Sequence, residues 1–422
     1  MQTLLFHDPG HFHAALTLRA ASPRVARTVH VYAPAGPELD AFRALIESFN
    51  AREAAPTDWD LQVHEGEGSL DRLIDERRGE VVVLAGRNDG KLATIRRLHD
   101  AGFHTLADKP WITSPAALAD LEAVTAGPPL AIDIMLSPHD TLPRLTRLIA
   151  GTESVFGRFV EGGEAPAIET YSLHHLYKIV NGEPLRRPPW FYDVRVQGDG
   201  LVDIHSHMVD QAQRLLGPEH AYDYAADFAL DRARRWSTPV PLALFSDSTG
   251  EAAFPEYLAG AVEDGVLDLA CNGEIDYRLR GLRVRQKAEW GAREPEGGGD
   301  VVGARLRGSG ATVRVVQGPE TGYRSELHLE DPGSGGLEDR IRAALDAWRQ
   351  DFPSLDLATS DIGFQLLIPD TLRIGHEAQF PMVLDNFLDL VEAGVWPAHL
   401  AGRIRSRYTL LARAHERAVA AG

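Results

Sequence analysis

The sequence predicts an α/β protein in which a doubly wound parallel sheet is followed by an α+β domain with an open, mainly antiparallel sheet. Strand and helix patterns alternate over the first 130 residues, which is typical of a parallel sheet covered on both faces. Beyond residue 150, strand-like alternation of apolar residues takes over. We therefore expect a first domain over 1–135, a second over 136–400, and a C-terminal helix over 401–422.

The elements of the first domain follow from apolar runs and turn residues. The run 81–85 is almost wholly apolar, as expected for a strand in the buried middle of a parallel sheet. The predicted strands are Thr3–Phe6, Val29–Ala33, Leu61–His64, Val81–Ala85, Thr105–Ala107 and Leu130–Met135. The predicted helices are His13–Ala21, Glu38–Asn50, Ser69–Arg78, Lys91–Ala101 and Ala116–Val124.

In the second half, Asn272-Gly273 gives the strongest short hairpin signal, because this dipeptide favours the tight turn between two antiparallel strands. Glycine-rich segments at 294–300 and 331–336 are expected to be flexible loops. The predicted strands here are Val266–Cys271, Glu274–Leu279, Leu282–Trp290 and Ala311–Gln317, and the predicted helices are Pro381–Glu392 and Gly402–Ala420.

Composition narrows the class of protein. The chain has 422 residues, a net charge of −18 and 44% hydrophobic residues, so a basic surface for nucleic acid or anionic membranes is not expected. Its single cysteine, Cys271, excludes an internal disulfide and a cysteine-based zinc cluster. We expect a cytoplasmic protein, since the first strand starts at residue 3 and no apolar run reaches 18 residues.

Two segments carry residue types suited to moving a proton. Lys109 follows the fifth predicted strand directly, within Asp108-Lys109-Pro110. Asp203 and His207 lie four residues apart at the start of an amphipathic stretch, where a carboxylate on the same helix face can orient an imidazole. Oxidation of a hydroxyl by hydride transfer needs such groups, because the hydroxyl loses its proton as its carbon loses hydride.

The first strand leads into the turn His7-Asp8-Pro9-Gly10-His11-Phe12-His13, where a dinucleotide-binding fold usually has G-x-G-x-x-G. Only the middle glycine, Gly10, is present. Asp8 and His13 occupy the outer positions, and an aspartate beside a pyrophosphate is unfavourable unless it points away. The turn lies between a strand and a helix, and this position is stronger evidence for a cofactor site than the residue types within the turn.

The segments that contain Lys109 and His207 resemble two motifs of the Gfo/Idh/MocA oxidoreductase family. Members of this family carry E-K-P after the fifth strand and G-G-G-x-x-x-D-x-G-x-H-x-x-D further on. Asp108-Lys109-Pro110 replaces the first motif. The second is matched by Gly198, Gly200, Asp203, His207 and Asp210, while Asp199 and His205 replace two of its glycines. The resemblance implies a Rossmann domain, an open sheet and a last helix that packs back near the first domain, with Lys109, Asp203 and His207 catalytic.

The resemblance also implies NAD as the cofactor. NADP is less expected, because no lysine or arginine follows the second strand to bind a 2′-phosphate. Asn88 occupies the loop that lies under the nicotinamide in this family. Trp190 belongs to a segment that can lie beside the nicotinamide and exclude water from it. The predicted cofactor residues are Gly10, His11, Phe12, His13, Asn88, Lys109 and Trp190.

The remaining polar residues of the predicted cleft suit the hydroxyls of a carbohydrate. These are His174, Tyr177, Lys178 and His205. We expect no metal, although Asp203, His205 and His207 alternate and would share one face of a strand, where they could ligate zinc or manganese.

The sequence thus predicts an NAD-dependent oxidoreductase that acts on a hydroxyl of a sugar, glycoside or related polyol. Two alternatives stay open: an NAD-dependent glycoside hydrolase that oxidises its substrate transiently to allow elimination, and a non-catalytic dinucleotide-binding regulator. Related enzymes pair through the open sheet, which predicts a homodimer or a dimer of dimers. No nucleic acid or membrane partner is expected.

Overall fold

The computed structural model describes residues 1–180 and 183–421, and it confirms the α/β class. The first sheet is built from β1 Leu4–His7, β2 Thr28–Ala33, β3 Asp60–Glu65, β4 Val81–Leu84, β5 His104–Ala107 and β6 Ala131–Asp133. These six strands are parallel and follow the order β3-β2-β1-β4-β5-β6. The order reverses between β1 and β4, which is where doubly wound sheets bind their ligands.

The helices of this half are α1 His13–Leu16, α2 Pro37–Ala51, α3 Ser69–Glu76, α4 Lys91–Asp100 and α5 Leu118–Val124. Helix α1 is much shorter than predicted. The Thr17 hydroxyl donates to the Ala14 carbonyl at 2.7 Å, and the Trp59 indole donates to the Leu18 carbonyl at 2.7 Å. These carbonyls bind side chains, so the helix ends after a single turn.

The second half holds a large sheet and a separate two-stranded sheet. Its strands are β7 Ile168–Tyr177, β8 Ile179–Val180, β9 Glu183–Pro184, β10 Phe228–Pro241, β11 Val262–Glu263, β12 Val266–Leu279, β13 Leu282–Arg293, β14 Val301–Arg307, β15 Thr312–Gln317, β16 Glu326–Glu330, β17 Asp356–Ser360 and β18 Gly363–Leu367. The large sheet runs β10-β12-β13-β7-β14-β15-β16-β18-β17, with β11 beside β12, and β8 pairs β9. β7 and β13 are parallel, and the other pairs described in the sheet are antiparallel.

The predicted Asn272-Gly273 hairpin is wrong, because β12 continues straight through both residues. The Asn272 side chain accepts from the Trp290 amide at 2.7 Å and donates to the Trp236 carbonyl at 3.1 Å, beside a shift of register between β10 and β12. A Cβ on Gly273 would lie 2.5 Å from the Gly200 carbonyl oxygen. The dipeptide therefore marks a β-bulge and a close backbone approach rather than a turn.

The remaining helices are α6 Thr141–Ala150, α7 Glu153–Phe156, α8 Val194–Gln197, α9 His205–Leu216, α10 Tyr224–Asp227, α11 Leu242–Thr249, α12 Leu337–Asp351, α13 Gln379–Ala393 and α14 Ala398–Ala421. α13 returns to the first sheet, where Phe380 and Leu384 share a buried cluster with Leu4 and Phe6. α14 contacts both α5 and α9, so it lies against an element from each half of the chain.

Among the described residues, no helix combines the length and the apolar character that crossing a membrane requires.

Candidate active site

Lys109 and Asp203, which come from different halves of the chain, form a buried ion pair. Lys109 follows β5 at the carboxyl edge of the parallel sheet, and its Nζ donates to Asp203 Oδ1 at 2.6 Å. The two side chains are 10% and 8% exposed. Burial by itself would raise the pKa of Asp203, but the Lys109 ammonium outweighs this and holds that pKa below its ordinary value. The Asp203 carboxylate is therefore ionised at neutral pH and is held by Lys109.

His207 lies close to this pair but is not oriented by Asp203, which corrects the prediction. Asp203 precedes α9, which begins at His205, so Asp203 and His207 do not share a helix face. Burial first, and then the Lys109 ammonium, lower the pKa of His207 to about 3. The imidazole is thus neutral at physiological pH, and one of its two nitrogens can accept a proton.

Two histidines of the first turn converge on the carboxylate beside Lys109. His13 Nδ1 lies 2.8 Å from Asp108 Oδ2, and His11 Nδ1 lies 3.4 Å from the same oxygen. Burial would raise the pKa of Asp108, but the two imidazoles hold it well below its ordinary value. Burial lowers the pKa of His13 to about 3. A third imidazole, His376, has its ring centroid 5.7 Å from that of His13.

The first turn fits the pyrophosphate of a dinucleotide in part. A Cβ on Gly86 would lie 2.3 Å from the Asp8 carbonyl oxygen, so the loops after β1 and β4 meet in a way that requires glycine. Within the ranges described, the amides of Phe12 and His13 have no backbone acceptor, which leaves two donors for an anion. The one-turn α1 adds little dipole. The fit thus depends on backbone donors beside the β1–β4 switch point, with Gly10 between them and Asp8.

Asn88 and Trp190, both predicted to contact the nicotinamide, are buried and hold protein groups. The Asn88 side chain accepts from Lys91 Nζ and donates to the Gln197 carbonyl at 2.9 Å, which links the two halves of the chain. The Trp190 indole donates to Glu38 at 3.2 Å, in the first turn of α2. Their positions therefore show an interdomain contact rather than free groups facing a ligand.

Lys91 is a site residue that the sequence analysis missed. Its Nζ donates to the Asp108 carbonyl at 3.1 Å, and burial lowers the pKa of the ammonium to about 8. It is the first residue of α4, where a lysine has the pattern of an ordinary solvated residue. No signal in the sequence alone indicates that the start of α4 contacts the loop that carries Lys109.

Two of the predicted substrate residues meet at a carboxylate. His174 Nδ1 lies 3.0 Å from Asp300 Oδ2, and Lys178 Nζ donates to the same oxygen at 2.9 Å. These two groups, against the opposing effect of burial, lower the pKa of Asp300. Asp300 gave no signal of a site in the sequence, because it lies in the glycine-rich segment 294–300, which was predicted to be a flexible loop.

Arg187 is a further charged residue that was missed, and its guanidinium donates to the backbone carbonyls of Leu176 and His175 at 2.7 and 2.9 Å. Its guanidinium packs over the rings of Phe191 and Trp290, at 4.4 and 5.2 Å from their centroids. Burial lowers its pKa, while Asp203 and Asp300 act in the opposite direction. A cation is therefore held between aromatic rings and backbone carbonyls of β7 in this region.

The other two predicted substrate residues are turned away. His205 has no exposed surface, and its Nδ1 and Nε2 lie 2.8 and 3.2 Å from the carbonyl oxygens of Gly200 and Gln286. It therefore holds the glycine-rich segment against β13, and the predicted contact with a substrate is wrong for this conformation. The Tyr177 ring packs against the Arg293 guanidinium at 4.8 Å. The alternative metal set of Asp203, His205 and His207 is not assembled.

Comparison with known proteins agrees with this geometry. Residues 145–419 match the family model described as "Putative oxidoreductase C terminal domain". A "putative oxidoreductase" from Parabacteroides merdae is 33% identical, with a TM-score of 0.96 over 100% of this chain and 98% of that one. No curated protein is similar enough in sequence to count as a match.

More distant solved structures share the fold. Levoglucosan dehydrogenase in complex with NADH and levoglucosan is 15% identical, with a TM-score of 0.61 over 100% of this chain and 98% of that one. A "putative myo-inositol dehydrogenase" from Sinorhizobium meliloti is 12% identical, with a TM-score of 0.56 over 100% and 98%. At these identities the likeness concerns the two-domain architecture.

Proposed function

Because this chain belongs to the Gfo/Idh/MocA oxidoreductases, we propose that it oxidises a hydroxyl group of a sugar, glycoside or related polyol with NAD as the hydride acceptor. The observation that carries the proposal is the buried Lys109–Asp203 pair beside the neutral imidazole of His207, at the carboxyl edge of the parallel sheet. A fixed cation and a neutral base are the two groups that loss of a hydroxyl proton requires.

In this mechanism the Lys109 ammonium holds the oxygen of the reacting hydroxyl and stabilises the negative charge that develops there. Asp203 holds the ammonium in place through the 2.6 Å bond, so little reorganisation is needed during reaction. His207 takes the hydroxyl proton on a ring nitrogen. The buried site excludes water, which strengthens the interaction between the cation and the developing alkoxide.

The backbone amides of Phe12 and His13, with Gly10 beside them, would hold the pyrophosphate of the cofactor. When bound, NAD supplies the carbon that accepts hydride, and the chain supplies position and charge. Lys178, His174 and Asp300 lie where they can bind further hydroxyls of a polyol, since together they offer both donors and acceptors.

The test is NADH formation by the full-length protein with a panel of sugars, glycosides and polyols. Lys109→Met should lower the rate by roughly 100-fold or more, the contribution of a positioned acid–base group. The matched control is Lys287→Met, because Lys287 lies on β13 and pairs with Glu289 on the outer face of the sheet. Equal rates for both variants would contradict the role of Lys109.

The same assay separates net oxidation from redox-neutral cleavage. Aglycone release from a glycoside without accumulation of NADH would replace the dehydrogenase with a glycoside hydrolase that recycles its cofactor. Cofactor binding without turnover of any carbohydrate would favour a regulatory protein.

A further inference from the structure

His11, His13 and Asp108 bring three potential metal-ligand atoms together in the first turn. All three lie within 4.8 Å of one another. The set differs from the Asp203, His205 and His207 set that the sequence spacing offered, because it joins the turn after β1 to the residue after β5. The two loops are adjacent in space only because the parallel sheet places β4 alone between β1 and β5.

The separations match those around one ion. Ligand atoms about 2.0–2.2 Å from a shared ion, at tetrahedral or octahedral angles, lie about 2.8–3.6 Å apart. The Asp108 Oδ2 atom lies 2.8 Å from His13 Nδ1 and 3.4 Å from His11 Nδ1. Two imidazole nitrogens directed at one carboxylate oxygen thus already have the spacing of ligands.

One of these two nitrogens, His11 Nδ1, makes no hydrogen bond within the described part of the chain. It is buried, and burying such a group without a partner is costly. The orientation of the Asp108 carboxylate is fixed by its other oxygen, Oδ1, which accepts from the Lys109 amide at 2.9 Å. An outer-shell donor of this kind is typical of a carboxylate that ligates a metal.

We propose that His11, His13 and Asp108 form a binding site for one divalent transition-metal ion, with a further coordination position open to the cleft. Imidazole and carboxylate ligands suit zinc, manganese, cobalt and iron, and three protein ligands with an open position are the arrangement of a reactive rather than a structural site. His11 is 21% exposed in its side chain, which leaves that side open to a substrate oxygen. The site replaces the expectation that the chain needs no metal.

The inference does not depend on the proposed oxidation, and its test contains neither NAD nor a carbohydrate. Full-length protein is treated with a chelator, the chelator is removed, and Zn²⁺ is titrated by calorimetry. Co²⁺ is then titrated by visible absorption, which reports its ligand geometry. One ion per chain and a cobalt spectrum of imidazole–carboxylate type are expected.

The variants His11→Ala and Asp108→Asn should each weaken binding more than the roughly 10–100-fold that loss of an outer-shell partner causes. His220→Ala is the matched control, since it removes one histidine from a single His–Asp pair with Asp227 on another part of the surface. Circular dichroism of each variant checks that it folds, and partly exposed His11 is the substitution least disruptive to the core.

Three results would overturn the proposal. The first is unchanged binding in both His11→Ala and Asp108→Asn. The second is loss of binding in Glu294→Gln alone, because His175, Glu294 and Asp300 form the other cluster of this kind among the described residues. The third is failure to bind either Zn²⁺ or Co²⁺, whatever the oxidation assay shows.

Discussion

Lys109→Met should destabilise the fold as well as abolish activity, because the ion pair that it breaks is buried. Both side chains of the pair are at most 10% exposed, so the values measured for surface salt bridges, about 0–1 kcal/mol, do not apply. Removal of one partner from a buried pair costs about 3–5 kcal/mol, since the other charge is left without compensation. We expect a loss of that size in the free energy of unfolding at neutral pH.

The pH dependence tests this reasoning more sharply than the size of the loss. In the wild-type protein the pKa of Asp203 is lowered, so the pair contributes stability above the ordinary pKa of aspartate and loses it as the pH falls through the lowered value. Without Lys109, burial raises the pKa of Asp203 against only the weaker opposing effects of Gln197 and His207, so this pKa should rise. The carboxylate of the variant is then protonated on mild acidification, and the difference between wild type and variant should shrink as the pH falls from 7 towards 4.

The assay is urea unfolding of the full chain, followed by tryptophan fluorescence at several pH values. The double variant Lys109→Met/Asp203→Asn is the control, because it removes the uncompensated charge and should recover much of the lost stability while staying inactive. A loss under about 1 kcal/mol, or a difference that is constant with pH, would show that the pair is solvated and that Asp203 does not hold Lys109 in place.

Other predictions follow from the same structure. Burial lowers the pKa values of His13 and His207 to about 3, so below pH 6.5 the unfolded chain binds more protons than the folded chain. The urea concentration at the unfolding midpoint should therefore decrease as the pH is lowered from 6.5 to 4. The decrease should be less steep in His207→Gln. Asn272→Ala should cost about 1–3 kcal/mol in urea unfolding, since it leaves the Trp290 amide without its acceptor. Light scattering should report two or four times the 46.2 kDa of one chain, because related enzymes pair through the open sheet, and a particle of 46.2 kDa would contradict this assembly.

The parallel sheet could be predicted because its strands are buried on both faces and read as apolar runs. Val81–Leu84 is the clearest case, with all four residues buried. The ends of elements were less predictable, since the end of α1 depends on the Trp59 indole, which comes from a distant part of the chain. Asn272-Gly273 was misread because the residue types that favour a turn also suit a bulge.

Of the candidate site, only the residues that belong to sequence motifs could be predicted. The motif residues Lys109 and Asp203 are in contact, but the partner assigned to Asp203 was wrong because spacing in sequence was taken for helix geometry. Asp300 and Arg187 have no local signal, because their roles arise from contacts between strands and loops that are far apart in the chain.

The position of His207 depends on Asp210, one turn further along α9, rather than on Asp203. The Arg407 guanidinium of α14 is fully buried and binds Asp210 Oδ1 at 2.9 Å and the Asp133 carboxylate at the end of β6. The helix that carries the proposed base is therefore fixed to the same sheet whose edge carries Lys109. A neutral imidazole that no side chain orients needs such a rigid support, since a proton acceptor displaced by about 1 Å loses much of its effect. The C-terminal helix thus positions the proposed active site through Arg407.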